Sequence, residues 1–267
     1  MMEPRFSFFG FSKDVEAISA AGYDYIEMHM REIMSLEESA FNLLLQKLDQ
    51  TGLVCEVLDN PVPLDQSIAN DSFDFNYYEK YLTFGTARAA RLGIKYFIYG
   101  NGFTRSLPKE GDLENARQKN LHFMRLLADI TAEHNITILI EPLAPTVSNI
   151  IHSIPEAVAY VQSVNRPNLG TFLDYRWFLD RQHPYEMIEE FASHIKHVHI
   201  DNPEHPFPTR FVPKLDDGHD YDKFFKTLNK INYGGIISIE ANTFKDYQQD
   251  LLDGLNFLKV MSSKRNL

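Results

Sequence analysis

One pattern constrains this chain more than any other. Short β-type runs alternate with longer amphipathic stretches from end to end. The runs are Phe6–Phe9, Tyr23–Met28, Leu53–Leu58, Ile94–Tyr99, Thr137–Glu141, Leu169–Asp174, Ile195–His199 and Ile236–Glu240. Between them, Leu36–Gln50, Tyr77–Leu92, Leu113–Glu133, Pro155–Val164 and Tyr221–Ile231 carry apolar residues at spacings of three and four, the helical period. Ser35 with Glu38, and Ser153 with Glu156, have the Ser-x-x-Glu spacing of a capping box. Gly22, Gly52 and Gly93 each close a helical stretch ahead of a strand, where a left-handed residue is wanted, and Asn135 takes that place before the fifth run.

Eight strand–helix units in 267 residues predict an α/β chain folded as a (β/α)8 TIM barrel, one domain spanning residues 1–267. A doubly wound open sheet would ordinarily need fewer strands, and no G-x-G-x-x-G follows the first run. Gly100-Asn101-Gly102 is a lone glycine pair, which predicts a turn rather than a phosphate cradle. No Pro/Gly/Ser linker marks a second domain.

Composition narrows the partners. A formal charge of −11, from 26 basic and 37 acidic residues, argues against a nucleic-acid backbone. The single cysteine, Cys55, rules out an intrachain disulfide and a thiolate-rich zinc site, and its apolar neighbours predict a buried, unreactive thiol. No run reaches the roughly 18 apolar residues of a membrane span, and the first ten residues lack a secretory pattern. The expectation is a cytoplasmic enzyme with a hydrophobic fraction, 44%, sufficient for a sizeable core.

The ends of the runs carry the chemistry. In a barrel of this kind the C-terminal strand ends face the site. Runs five to eight end in Glu141 ("LIEP"), Asp174 ("TFLDYR"), His199 ("HVHID") and Glu240 ("ISIEAN"). Three carboxylates and an imidazole form a mixed oxygen/nitrogen set that suits one divalent ion, Mn²⁺, Co²⁺, Zn²⁺ or Mg²⁺. Without a cation they would repel, and one would take up a proton. His197 lies two residues before His199 on the same face, one layer deeper, and is expected as a hydrogen-bonded core histidine.

These four ends, with the "EP" of the fifth run and the "NYGG" before "IISIE", resemble the sugar-phosphate isomerase/epimerase superfamily, the xylose-isomerase-like TIM barrels. The resemblance implies a metal-dependent isomerase or epimerase of a small carbohydrate or related ketone. Glu141 and Glu240 would act as acid and base on either side of a carbonyl sugar, through a metal-stabilised enediolate. Two bases on opposite faces give epimerisation, and one base shuttling a proton gives aldose–ketose isomerisation.

In that family the loop after the seventh strand carries an arginine that binds substrate oxygen, and Arg210, within Asp201–Asp220, takes that place. Trp177, just beyond Asp174, is expected as an apolar wall over a sugar ring. Weaker substrate-binding candidates are Glu56 and Asn101, with Glu27, His29, Asp59 and Asn60; His205 and His219 are expected as solvated loop residues. Ala144, Pro145 and Val147 replace the Asn, Arg and second Glu of free-ketose epimerases, and Trp177 replaces their histidine, which counts against a ketohexose 3-epimerase.

The partner expected is a small-molecule carbohydrate, with no nucleic acid and no membrane. Dimers and tetramers are common in the family, so a homo-oligomer is compatible. Two other readings stand beside this one: a phosphodiesterase or AP-endonuclease-like hydrolase with three zinc ions, and a non-catalytic sugar-binding barrel.

Overall fold

A computed structural model describes residues 4–63 and 65–264. Eight parallel strands close into a barrel in the order β1 to β8. They are β1 (Arg5–Phe9), β2 (Tyr25–His29), β3 (Val54–Asp59), β4 (Tyr96–Tyr99), β5 (Thr137–Ile140), β6 (Leu169–Asp174), β7 (Ile195–Ile200) and β8 (Ile236–Ile239). The expected runs match these strands to within two residues at each end. The register places Phe9 opposite Glu27, Tyr99 opposite Ile140, and His199 opposite Ser238. Strands so rich in Ile, Val and Phe suit a parallel sheet buried on both faces.

The helices are α1 (Val15–Ala21), α2 (Met30–Ser35), α3 (Glu38–Thr51), α4 (Phe75–Leu92), α5 (Gly102–Arg105), α6 (Leu113–Ala132), α7 (Ile154–Val164), α8 (Tyr175–Asp180), α9 (Glu186–Glu190), α10 (Asp222–Lys230) and α11 (Tyr247–Ser263). Among the described residues none is long and apolar enough to cross a membrane.

Packing divides the chain into two compact units. The first holds the chain through Glu27, Leu43–Val54 and Phe172 onward, and its core includes Phe8, Ile18, Phe172, Val198, Phe224 and Phe257, all fully buried. The second holds Met28–Asn42 and Cys55–Thr171, with Ile33, Phe41, Phe97, Phe123, Ile138 and Leu139 fully buried. Burying each such side chain contributes roughly 1.5–3 kcal/mol. Cys55 is buried, as its surroundings predict.

Helix ends follow the punctuation in part. Gly22 and Gly93 close α1 and α4 at φ 96° and 83°, and Asn135 adopts φ 57° ahead of β5. The second pair forms a cap, with the carboxylate one residue further back than in a capping box: Ser153 caps α7 and accepts from the Glu156 N–H, and the Glu156 carboxylate reaches the His152 N–H and the Ser153 hydroxyl. The first does not. Ser35 ends α2 and donates to the Glu32 carbonyl, while Glu38 turns to Arg91 and Arg88. Two arginines offer that carboxylate more than a backbone N–H does.

Helix α11 is absent from the expected stretches because Gly254 interrupts its apolar face. A Cβ there would lie 2.7 Å from Val212 Cγ1 and 2.8 Å from Ile239 Cδ1, so glycine lets the helix approach β8.

The contrast between the two serines is measurable. Ser153→Ala should cost about 1 kcal/mol of unfolding free energy in a denaturant titration, whereas Ser35→Ala should change it by less than about 0.5 kcal/mol.

Candidate active site

In the first unit the strand ends bring together a connected set of buried charges. Asp174 ends β6 and caps α8, its Oδ1 accepting from the Arg176 N–H at 2.7 Å and the Trp177 N–H at 3.3 Å. Its Oδ2 accepts from Arg210 Nη2 at 2.8 Å. Arg210 Nη1 lies 3.2 Å from Glu240 Oε2, and Glu240 Oε2 lies 3.1 Å from His199 Nδ1. The expected residues Asp174, His199, Glu240 and Arg210 are therefore neighbours, with a guanidinium spanning two of the carboxylates.

The loop after β7 holds Arg210 in place. The Arg210 N–H donates to Asn242 Oδ1 at 2.9 Å, and the guanidinium lies over the Trp177 ring, 5.3 Å from its centroid. Phe207 packs on the other partner of this wall, 5.1 Å from Trp177. Trp177 is buried, so here it supports the arginine.

Three residues that the sequence pattern does not single out as principal site members complete the set. Glu27, fully buried on β2, stands 3.0 Å from His197 Nε2 and 2.9 Å from His199 Nε2. Arg176 binds the buried Asp201 through Nε at 2.7 Å and through Nη2, and also reaches the carbonyls of Asn202 and His205. Strand alternation held a signal for Glu27, a charged residue between Ile26 and Met28 on the opposite face. No local pattern pairs Arg176 with Asp201, which are 25 positions apart.

The electrostatics follow from burial and pairing. Burial alone would raise the Glu27 carboxyl, but His199 and His197 outweigh it and hold it well below the usual carboxylate range. Burial would lower His199, yet Glu27 and Glu240 lie at its two ring nitrogens and raise it well above the ordinary histidine value. For His197 burial wins over Glu27, and the ring is held neutral. Burial pushes Asp201 up and Arg210 pulls it down; with Asp174 adding its charge, the balance lies at about 7. Glu240 is held low by Arg210 and His199 against burial.

In the second unit Glu141 follows β5. Its N–H donates to the Tyr99 carbonyl at 3.2 Å, and its own carbonyl accepts from Arg105 Nη2 at 2.5 Å. Arg105 is fully buried and also donates to the Tyr99 carbonyl at 3.1 Å, so one guanidinium clamps the ends of β4 and β5 together. Gly100 lies directly under the Glu141 carboxylate, where a Cβ would come within 2.0 Å of Oε2. The glycine that the sequence offers as part of a turn is thus a floor for Glu141. Asn101 caps the short helix α5, its Oδ1 accepting from the Thr104 N–H.

The structure gives Glu56 a different occupation from substrate contact. Its carboxylate pairs with Lys95 Nζ at 2.5 Å, level with the entry of β4 and three residues below the end of β3. Asp59 sits at that strand end instead, 2.7 Å from His29 Nδ1 and 2.6 Å from Asn60 Nδ2. His219 is also not a solvated loop residue. It bridges Tyr175 Oη at 2.9 Å and Glu204 Oε1 at 2.6 Å. His205 is exposed, as expected, and His197 is a hydrogen-bonded core residue.

Within the first unit, Glu27, His197 and His199 have the donors and proximity that a divalent ion needs. The donor chemistry fits an ion at His199. Among the described residues no aligned hydrogen bond reaches His199 Nδ1 or Glu240 Oε2, both buried atoms. In the first unit, among the described residues, Glu27, Asp174, Asp201 and Glu240 are paired with Arg176, Arg210 and His199.

A family model described as xylose isomerase-like TIM barrel matches residues 15–261. The chain belongs to the xylose isomerase-like TIM barrel family. It is similar to an L-ribulose 3-epimerase of Methylomonas sp. (strain DH-1), 23% identical over 91% of this chain and 81% of that one. Its fold superposes on that of a D-allulose 3-epimerase of Methylomonas sp. in complex with D-allulose, with a TM-score of 0.81, 19% identity and 98% of each chain covered. A 3-keto-D-glucoside 4-epimerase of E. coli gives a TM-score of 0.78 at 18% identity, covering 97% of this chain and 100% of that one.

The close approach at Gly100 yields a specific expectation. Gly100→Ala should leave stability within about 1 kcal/mol, since only the far end of a side chain must yield. Calorimetric titration with Mn²⁺ should show weakened binding because Glu141 is displaced; unchanged affinity would mean that Glu141 does not hold the ion.

Proposed function

We propose that this protein is a metal-dependent isomerase or epimerase acting on a small carbohydrate or related ketone, the whole chain serving as one barrel domain. The reading rests on one observation above others. Asp174 ends β6, His199 is the last residue but one of β7, and Glu141 and Glu240 each follow their strand by one residue; the two buried donor atoms His199 Nδ1 and Glu240 Oε2 lie 3.1 Å apart without an aligned hydrogen bond. Glu141, Asp174, His199 and Glu240 would hold the cation, which supplies Lewis-acid polarisation of the substrate's carbonyl and neighbouring oxygen.

The chain's own residues supply the rest. Glu141 or Glu240 removes the proton from the carbon beside the carbonyl, and the other returns a proton to the enediolate. Arg210 donates to substrate oxygen once a cation takes over its carboxylate partners, and its seat on Trp177 keeps it aimed. The relatives named as sugar epimerases support a carbohydrate substrate. Ala144, Pro145 and Val147 supply no polar side chain where free-ketose epimerases have three, which favours a substrate recognised by other contacts.

Incubation of the Mn²⁺-loaded protein in D₂O with a panel of ketoses and inososes tests this directly. Deuterium should enter the carbon beside the carbonyl of at least one sugar, and metal analysis should give one ion per chain. Glu141→Gln and Glu240→Gln should each slow exchange about 10²–10⁴-fold. A fully active Glu240→Gln protein would remove the two-carboxylate mechanism, and three zinc ions per chain would favour a hydrolase.

A further inference from the structure

We propose that Glu27 is a positioning residue that decides which nitrogen of His199 receives the cation. This rests on the preceding reading that a divalent ion binds at His199. Glu27 lies on β2, opposite Phe9 of β1, and is fully buried. Its carboxylate accepts from two imidazoles at once: His197 Nε2 stands 3.0 Å from Oε2, and His199 Nε2 stands 2.9 Å from Oε1 and 3.1 Å from Oε2. An ionised carboxylate only accepts, so both Nε2 atoms must carry hydrogen. Nδ1 is then the nitrogen that can release its proton and offer a lone pair to a metal. That atom points the other way, 3.1 Å from Glu240 Oε2.

Aromatic rings hold the imidazole in this orientation. Phe172 meets the His199 ring edge-on with centroids 4.9 Å apart, and Phe9 does the same at 6.4 Å. His197 does not compete for the ion. Its hydrogen bond anchors Glu27, and it lies in the core with no exposure. The alternative is that Glu27, His197 and His199 themselves enclose the ion. Their donor separations of 2.9–3.1 Å are those of hydrogen bonds. Ligands held tetrahedrally at zinc bond lengths would stand about 3.3 Å apart.

Glutamine at this position is an informative change because it keeps the shape and halves the acceptors. A carboxamide has one accepting oxygen and one donating NH₂. Whichever way the amide turns, its NH₂ faces His199 Nε2, which lies 2.9 Å from Oε1 and 3.1 Å from Oε2. A donor at that place favours a lone pair on Nε2 and the proton on Nδ1, which blocks the ligating atom. Loss of a partner that orients a ligating histidine typically weakens metal binding 10–100-fold.

The test uses ¹⁵N-labelled protein loaded with ¹¹³Cd, read by cadmium–nitrogen coupling, with calorimetric titration of Mn²⁺ into wild type and Glu27→Gln. The expected result is coupling to His199 Nδ1, a retained His199 Nε2–H, and Mn²⁺ affinity lowered 10–100-fold in the variant. Coupling to His199 Nε2 or to either nitrogen of His197 overturns the inference, as does unchanged affinity in a folded Glu27→Gln protein. If the variant does not fold, the coupling pattern of the wild type decides alone. A wild-type chain that binds neither ion removes the proposed function itself, and this inference with it.

Discussion

Everything at the mouth of this barrel depends on how buried carboxylates are compensated. An ionised carboxylate taken out of water is costly unless it is paired and hydrogen-bonded. Asp174, Asp201, Glu27 and Glu240 meet that demand by different means. Asp174 takes two helix N–H groups and Arg210, Asp201 takes Arg176, Glu27 takes two histidines, and Glu240 shares Arg210 and His199. Asp201 Oδ2 takes two nitrogens of Arg176, while Asp201 Oδ1, His199 Nδ1 and Glu240 Oε2 are buried without an aligned hydrogen bond among the described residues.

The same logic extends outward from the charges. A short helix turns back at Asp174 so that one carboxylate oxygen caps it and the other is left for Arg210. Arg105 ties the carbonyls at the ends of β4 and β5, and Gly100 leaves space for the Glu141 carboxylate. The aromatic pair Trp177 and Phe207 and the cover Phe172 give to Arg210 and His199 walls without polar competition. Strand ends carry the charged groups, and side chains from the following loops orient them.

Much of this was legible in the sequence, because period and punctuation are local. Alternating β-type and helical patterns locate the eight strands, and three of the four predicted strand-end residues fall together within one unit. What escaped was pairing at long range. Glu56 looked like a site residue because it interrupts an apolar run, but Lys95, a residue on the next strand's approach, absorbs it. Ser35 had the right spacing for a cap, yet Glu38 found two arginines 50 and 53 positions away. His219 read as a solvated loop residue and instead links Tyr175 to Glu204. In each case a charged or polar partner distant in sequence overrode a correct local rule. Glu27 is the instructive middle case: its alternation was visible, but its two histidine partners, 170 and 172 positions on, were not.

The proposed function places one divalent ion among Glu141, Asp174, His199 and Glu240. The decisive measurement is a crystal structure of the protein grown with Mn²⁺, with the ion located by its anomalous scattering. A single anomalous peak is expected within coordination distance of His199 Nδ1 and a Glu240 oxygen, with Arg210 drawn away from Glu240. A peak seated between Glu27, His197 and His199, or no peak with Arg210 still bridging Asp174 and Glu240, would contradict it.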